Sequence, residues 1–266
     1  MKTSDTAFLM PAYNPEPGIL DAAVAPLLAQ TRAADLIIVD DGSTIPVVSL
    51  LPEDPRITVL RLDTNVGVTE ARNVALRYIL EQGYEFIACI DSDDISRTDR
   101  MAIQVGALEA DPALDLVGSM APTVDRDGRV LFTRGTAGGA DAVLKRLRRN
   151  LPFAHSTFCF RRRVVERFGF YSTDFPAAED YEYLFRIVAG GGKVDCLPDP
   201  LVTYLINPDG ISSRNRRLQI RTRLKTQWRY FDWKTPGSYL AVAESLATLL
   251  IPARVVMAVK RAIGRV

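Results

Sequence analysis

Asp91, Asp93 and Asp94 fall within four consecutive positions, directly after the apolar run Phe86-Ile87-Ala88-Cys89-Ile90. Carboxylates crowded in this way repel one another unless a cation or hydrogen-bond donors compensate them. A divalent metal is the obvious compensation. Oxygen-only ligands suit Mg²⁺ or Mn²⁺, which take one or two carboxylates together with waters and the oxygens of a substrate diphosphate. The same residues also suit a plain acidic turn, with Asp94 or Ser96 capping the next helix. A second acidic group, Asp40-Asp41-Gly42-Ser43, follows another apolar run. A carboxylate there suits hydrogen bonds from a nucleobase imide or a ribose, or else an Asx turn. Arg72 and Asn73 stand at the start of a helix reached through Gly67, placed for a base or phosphate or for a capping turn. Glu179-Asp180 opens a later helix, where the helix dipole favours acidic side chains whatever else they do.

The elements that must position these residues follow from the hydrophobic pattern. Short β-branched runs at 7–10, 36–39, 57–60 and 86–90 alternate with helical spacing at about 18–30 and 68–82, the pattern of an α/β domain with a largely parallel sheet. Each predicted strand ends in a polar cluster: Pro11-Ala12-Tyr13-Asn14, Asp40-Asp41-Gly42-Ser43, Thr64-Asn65-Val66-Gly67 and Asp91-Ser92-Asp93-Asp94. In open α/β sheets the carboxyl ends of the strands border the ligand crevice, so the coincidence points to function. Beyond Arg100 the pattern predicts helices near 101–109, 140–149 and 178–189, and strands at 114–118, 130–133, 156–160 and 201–205.

Taken in order, Pro11-Ala12-Tyr13-Asn14, Val39-Asp40-Asp41-Gly42-Ser43, Asn65-x-Gly67-(x)4-Arg72-Asn73, Asp91-Ser92-Asp93-Asp94 and Glu179-Asp180 with Leu184 have the spacing of the inverting family 2 glycosyltransferases, which the chain resembles from Ala7 to about Ser213. The resemblance implies a GT-A fold: a Rossmann-like, mostly parallel sheet flanked by helices. Residues 1–100 would form its nucleotide-sugar-binding half and 101–213 its acceptor-binding half. It implies a hexosyl transfer from a nucleoside diphosphate sugar, most simply a UDP-sugar, to a glycan or lipid-linked acceptor in cell-surface polysaccharide synthesis, with Mn²⁺ or Mg²⁺ as cofactor. By the same resemblance Pro11, Ala12, Tyr13, Asn14 and Asp41 bind the nucleotide-sugar, Tyr13 and Asp41 lining the base pocket, with Asp41 accepting from a pyrimidine imide. Arg72 lies beside base or diphosphate, Asp91 and Ser92 contact ribose and phosphate, Asp93 ligates the metal, and Asp180 is the catalytic base. Glu179 and His155, the single histidine, fall on the acceptor side; a satisfied structural histidine is the other reading. Many members follow their last strand with Tyr-Arg-x-His, whereas this chain has Tyr204-Leu205-Ile206-Asn207. Asn207 then offers a weaker amide ligand, or the metal relies on Asp93, waters and the diphosphate.

Composition excludes several other classes. With 266 residues, 47% of them hydrophobic and 24% charged, the chain has the balance of a folded globular protein. No run of about 18 uncharged apolar residues predicts a membrane-spanning helix. The amino terminus lacks the features of a signal peptide, and three scattered cysteines suit reduced thiols, so a cytoplasmic location is expected. No G-x-G-x-x-G follows a strand, which argues against a dinucleotide oxidoreductase, and Gly190-Gly191-Gly192-Lys193 lacks the earlier glycine of a P-loop. A nucleotidyltransferase would carry Arg and Lys in a Gly-rich loop after the first strand, and Pro11 to Gly18 has neither. A non-catalytic nucleotide-sugar-binding module is the remaining alternative.

The net charge of +1 conceals an asymmetry: up to Ser213 there are 21 Lys and Arg against 30 Asp and Glu, and from Arg214 onward 12 against two. The tail, 214–266, is therefore expected to be a basic, amphipathic helical extension. Its interleaved cations and aromatics suit peripheral contact with the inner face of the cell membrane, or else packing on the catalytic domain or on a second subunit. Nucleic acid is not an expected partner, since the body is acidic and the tail has few aromatics.

Overall fold

The computed structural model describes residues 2–206 and 216–250. Asn207 and the segment 251–266 lie outside the described residues. The first four strands, β1 (Thr6–Ala12), β2 (Asp35–Asp40), β3 (Ile57–Arg61) and β4 (Phe86–Cys89), run parallel in the order β3-β2-β1-β4. Their side chains alternate between the two faces, as the period of a strand requires. Ala7 and Leu9 of β1, with Ile37 and Val39 of β2, face Ala71, Ala75 and Ile79 of α2 (Val68–Glu81). Phe8 and Met10, with Leu36 and Ile38, face Leu20, Val24 and Leu27 of α1 (Pro17–Leu28) and Met101 and Val105 of α3 (Arg100–Ala110). Each such side chain, removed fully from water, contributes about 1.5–3 kcal/mol. Both sheet faces are covered, which is why these strands read as apolar runs.

The chain passes outward through β2 and β3 and then returns to β4 on the other side of β1. The carboxyl ends of β1 and β4 therefore flank a topological switch point, where ligands bind in open α/β sheets.

The second half extends the sheet. It adds β5 (Ile95–Ser96), β6 (Leu116–Val124), β7 (Val130–Arg134), β8 (Cys159–Arg161), β9 (Val194–Pro200) and β10 (Val202–Leu205). β6 is its hub, antiparallel to β7 and β8 and parallel to β9 and β10. α4 (Gly139–Leu147), α5 (Arg162–Phe168) and α6 (Glu179–Ala189) pack with this half. The sheet is thus mixed, parallel through its first four strands. The strand predicted over 156–160 is shorter than expected: Thr157 caps a tight turn at His155–Thr157 by donating its N–H and hydroxyl to the Ala154 carbonyl, at 3.0 and 2.7 Å. That turn frees Ser156 to face the acidic cluster. Two helices, α7 (Arg216–Arg229) and α8 (Pro236–Leu250), follow the sheet, separated where the sequence has Pro236-Gly237. The three cysteines are free and buried.

Candidate active site

Two loops meet over the ends of β1 and β2. Asp41 donates its N–H to the Ala12 carbonyl at 2.9 Å. Asn14, in the left-handed region at φ 46°, donates its N–H to Ser43 Oγ (2.9 Å) and accepts at Oδ1 from the Thr44 N–H (2.8 Å). Gly42 has φ 73°, and a Cβ there would lie 2.7 Å from the Thr64 carbonyl carbon, so a side chain would drive the β2 loop away from the segment after β3. Pro11, Ala12 and Asn14 are in this way locked to the β2 loop, while Tyr13 is 52% exposed at its rim. Asp41 accepts from the N–H groups of Val66 (2.7 Å) and Gly67 (3.0 Å), which hangs the turn leading into α2 on one carboxylate. A carboxylate has about four lone-pair sites, so both oxygens keep capacity for a ligand donor.

Arg72, in the first turns of α2, is buried and reaches across the crevice. One guanidinium nitrogen pairs with Glu179 and another with Asp91 Oδ1 at 3.0 Å. Burial opposes its charge, but Asp91 and Glu179 outweigh that cost and push its pKa up. Its Nε has no partner among the described residues. Asn73 is turned elsewhere, exchanging two 3.0 Å hydrogen bonds with the backbone of Tyr171.

The acidic cluster after β4 divides its labour. Asp91 is engaged with Arg72. Asp94 is fully buried, accepting from the Ser156 hydroxyl and from the Leu205 N–H at 3.0 Å. Burial, then the charges of Asp91 and Asp93, raise its pKa well above the carboxylate range. Asp93 is half-buried, and burial together with Asp91 pushes it up to about 6. Ser92 lies between them, also half-buried.

Glu179 and Asp180 form the first turn of α6. The residue before them, Ala178, adopts φ 56°, a conformation an alanine rarely takes and one that costs of order 1 kcal/mol. Asp180 accepts from the Tyr181 N–H at 2.7 Å, yet burial and then the charge of Glu179 raise it to about 7. Glu179, expected toward the acceptor, turns inward to Arg72. His155, expected near the acceptor, is 6% exposed, with Nε2 against the Tyr171 hydroxyl at 2.8 Å. Burial, then the charges of Arg72 and Arg100, hold it well below its usual pKa, so it is neutral.

Sequence reasoning missed the support beneath the cluster. Arg100 is wholly buried, donating to the carbonyls of Cys89 (3.0 Å) and Phe158 (3.3 Å) and to Gln104 (2.7 Å). Its spacing to Gln104, four residues along a helix, was the available signal. Tyr171, joining His155 to Cys89 Sγ at 3.8 Å, had none.

No cluster of three or more His, Cys, Asp or Glu side chains suited to a metal exists among the described residues. The acidic cluster offers Asp93 as its uncommitted carboxylate and surrounds it with negative charge. That fits a cation shared with a diphosphate, whose other ligands are phosphate oxygens and water. Arg72 thus ties Asp91 of the acidic cluster to Glu179, the neighbour of Asp180, and brings the cluster and the start of α6 to one crevice.

Comparison with known proteins agrees with this architecture. A family described as "Glycosyl transferase family 2" matches residues 7–169. An uncharacterized glycosyltransferase of Haemophilus influenzae is 30% identical over 233 residues, covering 85% of this chain and 84% of the relative. The succinoglycan biosynthesis protein ExoO of Rhizobium meliloti is 30% identical over 234 residues, covering 82% of this chain and 65% of that protein. Among solved structures, Staphylococcus aureus TarS 1–349 in complex with UDP-GlcNAc has a TM-score of 0.68 at 17% identity, covering 91% of this chain and 71% of TarS. The mannosyltransferase PcManGT of Pyrobaculum calidifontis, in complex with GDP-Man and Mn²⁺, has a TM-score of 0.67 at 21% identity, covering 92% and 69%. The chain belongs to glycosyltransferase family 2, and its fold is that family's GT-A arrangement.

Proposed function

We propose that this glycosyltransferase moves a hexosyl group from a UDP-sugar to a hydroxyl of a glycan or lipid-linked acceptor in cell-surface polysaccharide synthesis, inverting the anomeric centre. The observation that carries the reading is the Arg72 bridge. By holding Asp91 and Glu179 at once, it fixes the acidic cluster and the α6 carboxylate on one crevice. An acceptor hydroxyl is a poor nucleophile until a base takes its proton as it attacks. Asp180, raised to about 7 by burial and Glu179, is matched to that task near neutral pH. A direct displacement opposite the leaving diphosphate inverts the sugar and needs no covalent intermediate on the chain.

Asp93 would hold Mn²⁺ or Mg²⁺, and the bound ion would neutralise charge on the departing diphosphate. Asp91 and Ser92 would face ribose and phosphate, and Asp41, with Tyr13 at the rim, the base. Asp41's spare acceptor capacity suits the imide N–H of uracil. Support for a role in polysaccharide synthesis comes from the likeness to a succinoglycan biosynthesis protein.

The test is release of nucleoside diphosphate from a panel of UDP-, GDP- and TDP-sugars, with Mn²⁺ and with a chelator, in the presence of lipid-linked and soluble glycan acceptors. The expected result is turnover with a UDP-sugar that the chelator abolishes. Nucleotide binding without turnover for every donor and acceptor would overturn the reading in favour of a binding module.

A further inference from the structure

Helix α8 is folded inside out for a soluble protein. Its buried residues are the small ones, Ser238, Ala241 and Ser245. Its outward residues are Tyr239, Leu240, Leu246 and Leu250, exposed by 50, 60, 47 and 81%. Leu246 and Leu250 fall seven and eleven residues from Tyr239, one stripe on a helix of 3.6 residues per turn, and Leu240 lies about 100° round the helix on the side of that stripe. An amphipathic helix ordinarily turns such a stripe to the core. The small side chains let α8 lie close to α7, where Arg223 Nε donates to Ser245 Oγ at 3.1 Å, and the apolar stripe is left facing away.

The turn between the helices continues this surface. Phe231 centres an aromatic cluster, 4.8 Å from Trp233, 4.9 Å from Tyr239 and 5.8 Å from Trp228 by ring centroid. The two tryptophans stay 65 and 68% exposed. Rigid rings with a polar edge, beside an apolar helix, favour the boundary between headgroups and acyl chains.

Charge identifies what the surface meets. Arg217 and Arg221 are exposed along α7, four residues apart, and the end of α4 adds Arg148, whose Cδ lies 3.7 Å from where a Cβ on Gly237 would stand. The nearby acids are engaged: Glu244 with Arg149, and Asp232 with Thr235 and the Lys234 N–H. A second copy of the chain docked face to face would set these cations against each other. An anionic bilayer supplies both the apolar depth and the opposite charge. Among the described residues no helix is long and apolar enough to cross a membrane, so the surface lies on a bilayer and does not span it.

We infer that the outward face of α7 and α8 is a docking surface for an anionic lipid bilayer. It is mechanically close to the active site. Tyr230, directly after α7, stacks on Phe185 of α6 at 5.0 Å and donates its hydroxyl to Glu182 at 3.1 Å, and Lys225 of α7 donates to the Asp174 carbonyl at 3.0 Å, in the segment leading to Asp180. A bilayer that holds α7 and α8 therefore holds α6 beside it, where an acceptor anchored in that bilayer would arrive.

The test uses the full chain and its own fluorescence, because Trp228 and Trp233 are its two tryptophans and both lie on this face. Vesicles of equal parts phosphatidylglycerol and phosphatidylcholine should shift the emission to the blue at low salt, and phosphatidylcholine alone should not. Leu240→Glu with Leu246→Glu should weaken vesicle binding at least about tenfold. Arg217→Gln with Arg221→Gln should do so comparably and flatten the salt dependence. Both should bind UDP and melt as the wild type does, and if the first pair fails to fold the second still decides. Absence of any shift, an equal shift with phosphatidylcholine alone, or a variant pair that folds and binds like the wild type would overturn the inference. So would sedimentation equilibrium showing a wild-type dimer that the leucine substitutions split, since a second copy would then own the face.

Discussion

Asp40-Asp41 and Asp91-Asp93-Asp94 are acidic clusters at the carboxyl ends of parallel strands on either side of β1, yet Asp40 and the pair Asp93 and Asp94 are electrostatic opposites. At the end of β2, burial works against the Asp40 charge. The N–H groups of Val47 (3.0 Å) and Ser43 (2.9 Å) and the Arg61 guanidinium outweigh it and hold Asp40 below the usual carboxylate range. At the end of β4 the donors are fewer and the like charges closer, and Asp93 and Asp94 are both pushed upward. Residue type and topology are shared; the count of aimed N–H groups is not. Where donors saturate a carboxylate, as at Asp40, it is a clasp that shapes a loop. Where they do not, the cluster keeps a demand for positive charge that a ligand can meet.

The largest effect should come from Asp180, next in sequence to the Glu179 that Arg72 ties to the unsaturated cluster. Asp180→Asn keeps the shape and removes the proton acceptor, so transfer should fall by about a hundredfold or more with donor affinity nearly unchanged. In the wild type the rate should decline as pH drops below about 7, because a protonated Asp180 cannot accept the acceptor's proton. Steady-state kinetics across pH with a tight-binding donor checks both, and a parallel loss of affinity and rate would give Asp180 a structural role instead.

The saturated cluster should answer in stability. Asp40→Asn turns an amide N–H₂ toward groups that are themselves donors and should cost about 2–3 kcal/mol in urea unfolding at pH 7. Because the folded-state pKa of Asp40 is depressed, its contribution is present above the ordinary carboxylate range and lost as pH falls through the folded value, so the deficit should shrink in acid.

The smallest effect should have the opposite sign. Asp94 is buried with a raised pKa, so its folded state is favoured in acid and loses ground as pH rises through the raised value. Asp94→Asn still accepts from the Leu205 N–H and can donate to Ser156. Its melting temperature at pH 8 should rise by about 2–4 °C for each kcal/mol recovered, with the gain vanishing near pH 4. A lower melting temperature at pH 8 would mean that Asp94 is as well compensated as Asp40.

Much of this was legible in the chain. The four parallel strands were readable because burial on both faces leaves apolar runs, and each ends within two residues of its predicted limit. The helix pattern located α2 and α6 for the same reason. β9 was missed: Val194–Pro200 carries Pro198 and Pro200, which mark an edge strand more than a central one, and it pairs only with β6 among the described residues. α5 was missed because it begins in consecutive arginines. In the site, the motifs located the acids but not their partners. Nothing local shows that Arg72 meets Glu179 across 107 positions, that Asp41 holds a turn 25 residues later, or that Ser156 faces Asp94. Those contacts depend on where the sheet brings distant strand ends together.

Calorimetric titration with UDP, in chelator and in Mn²⁺, on the wild type and on Asp93→Ala, tests the metal-dependent donor site most directly. Mn²⁺ should tighten UDP binding to the wild type by at least about tenfold, some 1.4 kcal/mol, while Asp93→Ala binds UDP with the same weak affinity in both buffers. An Asp93→Ala protein that keeps the full Mn²⁺ enhancement would contradict the assignment of Asp93 as the metal ligand and, with it, the functional contrast between the two clusters.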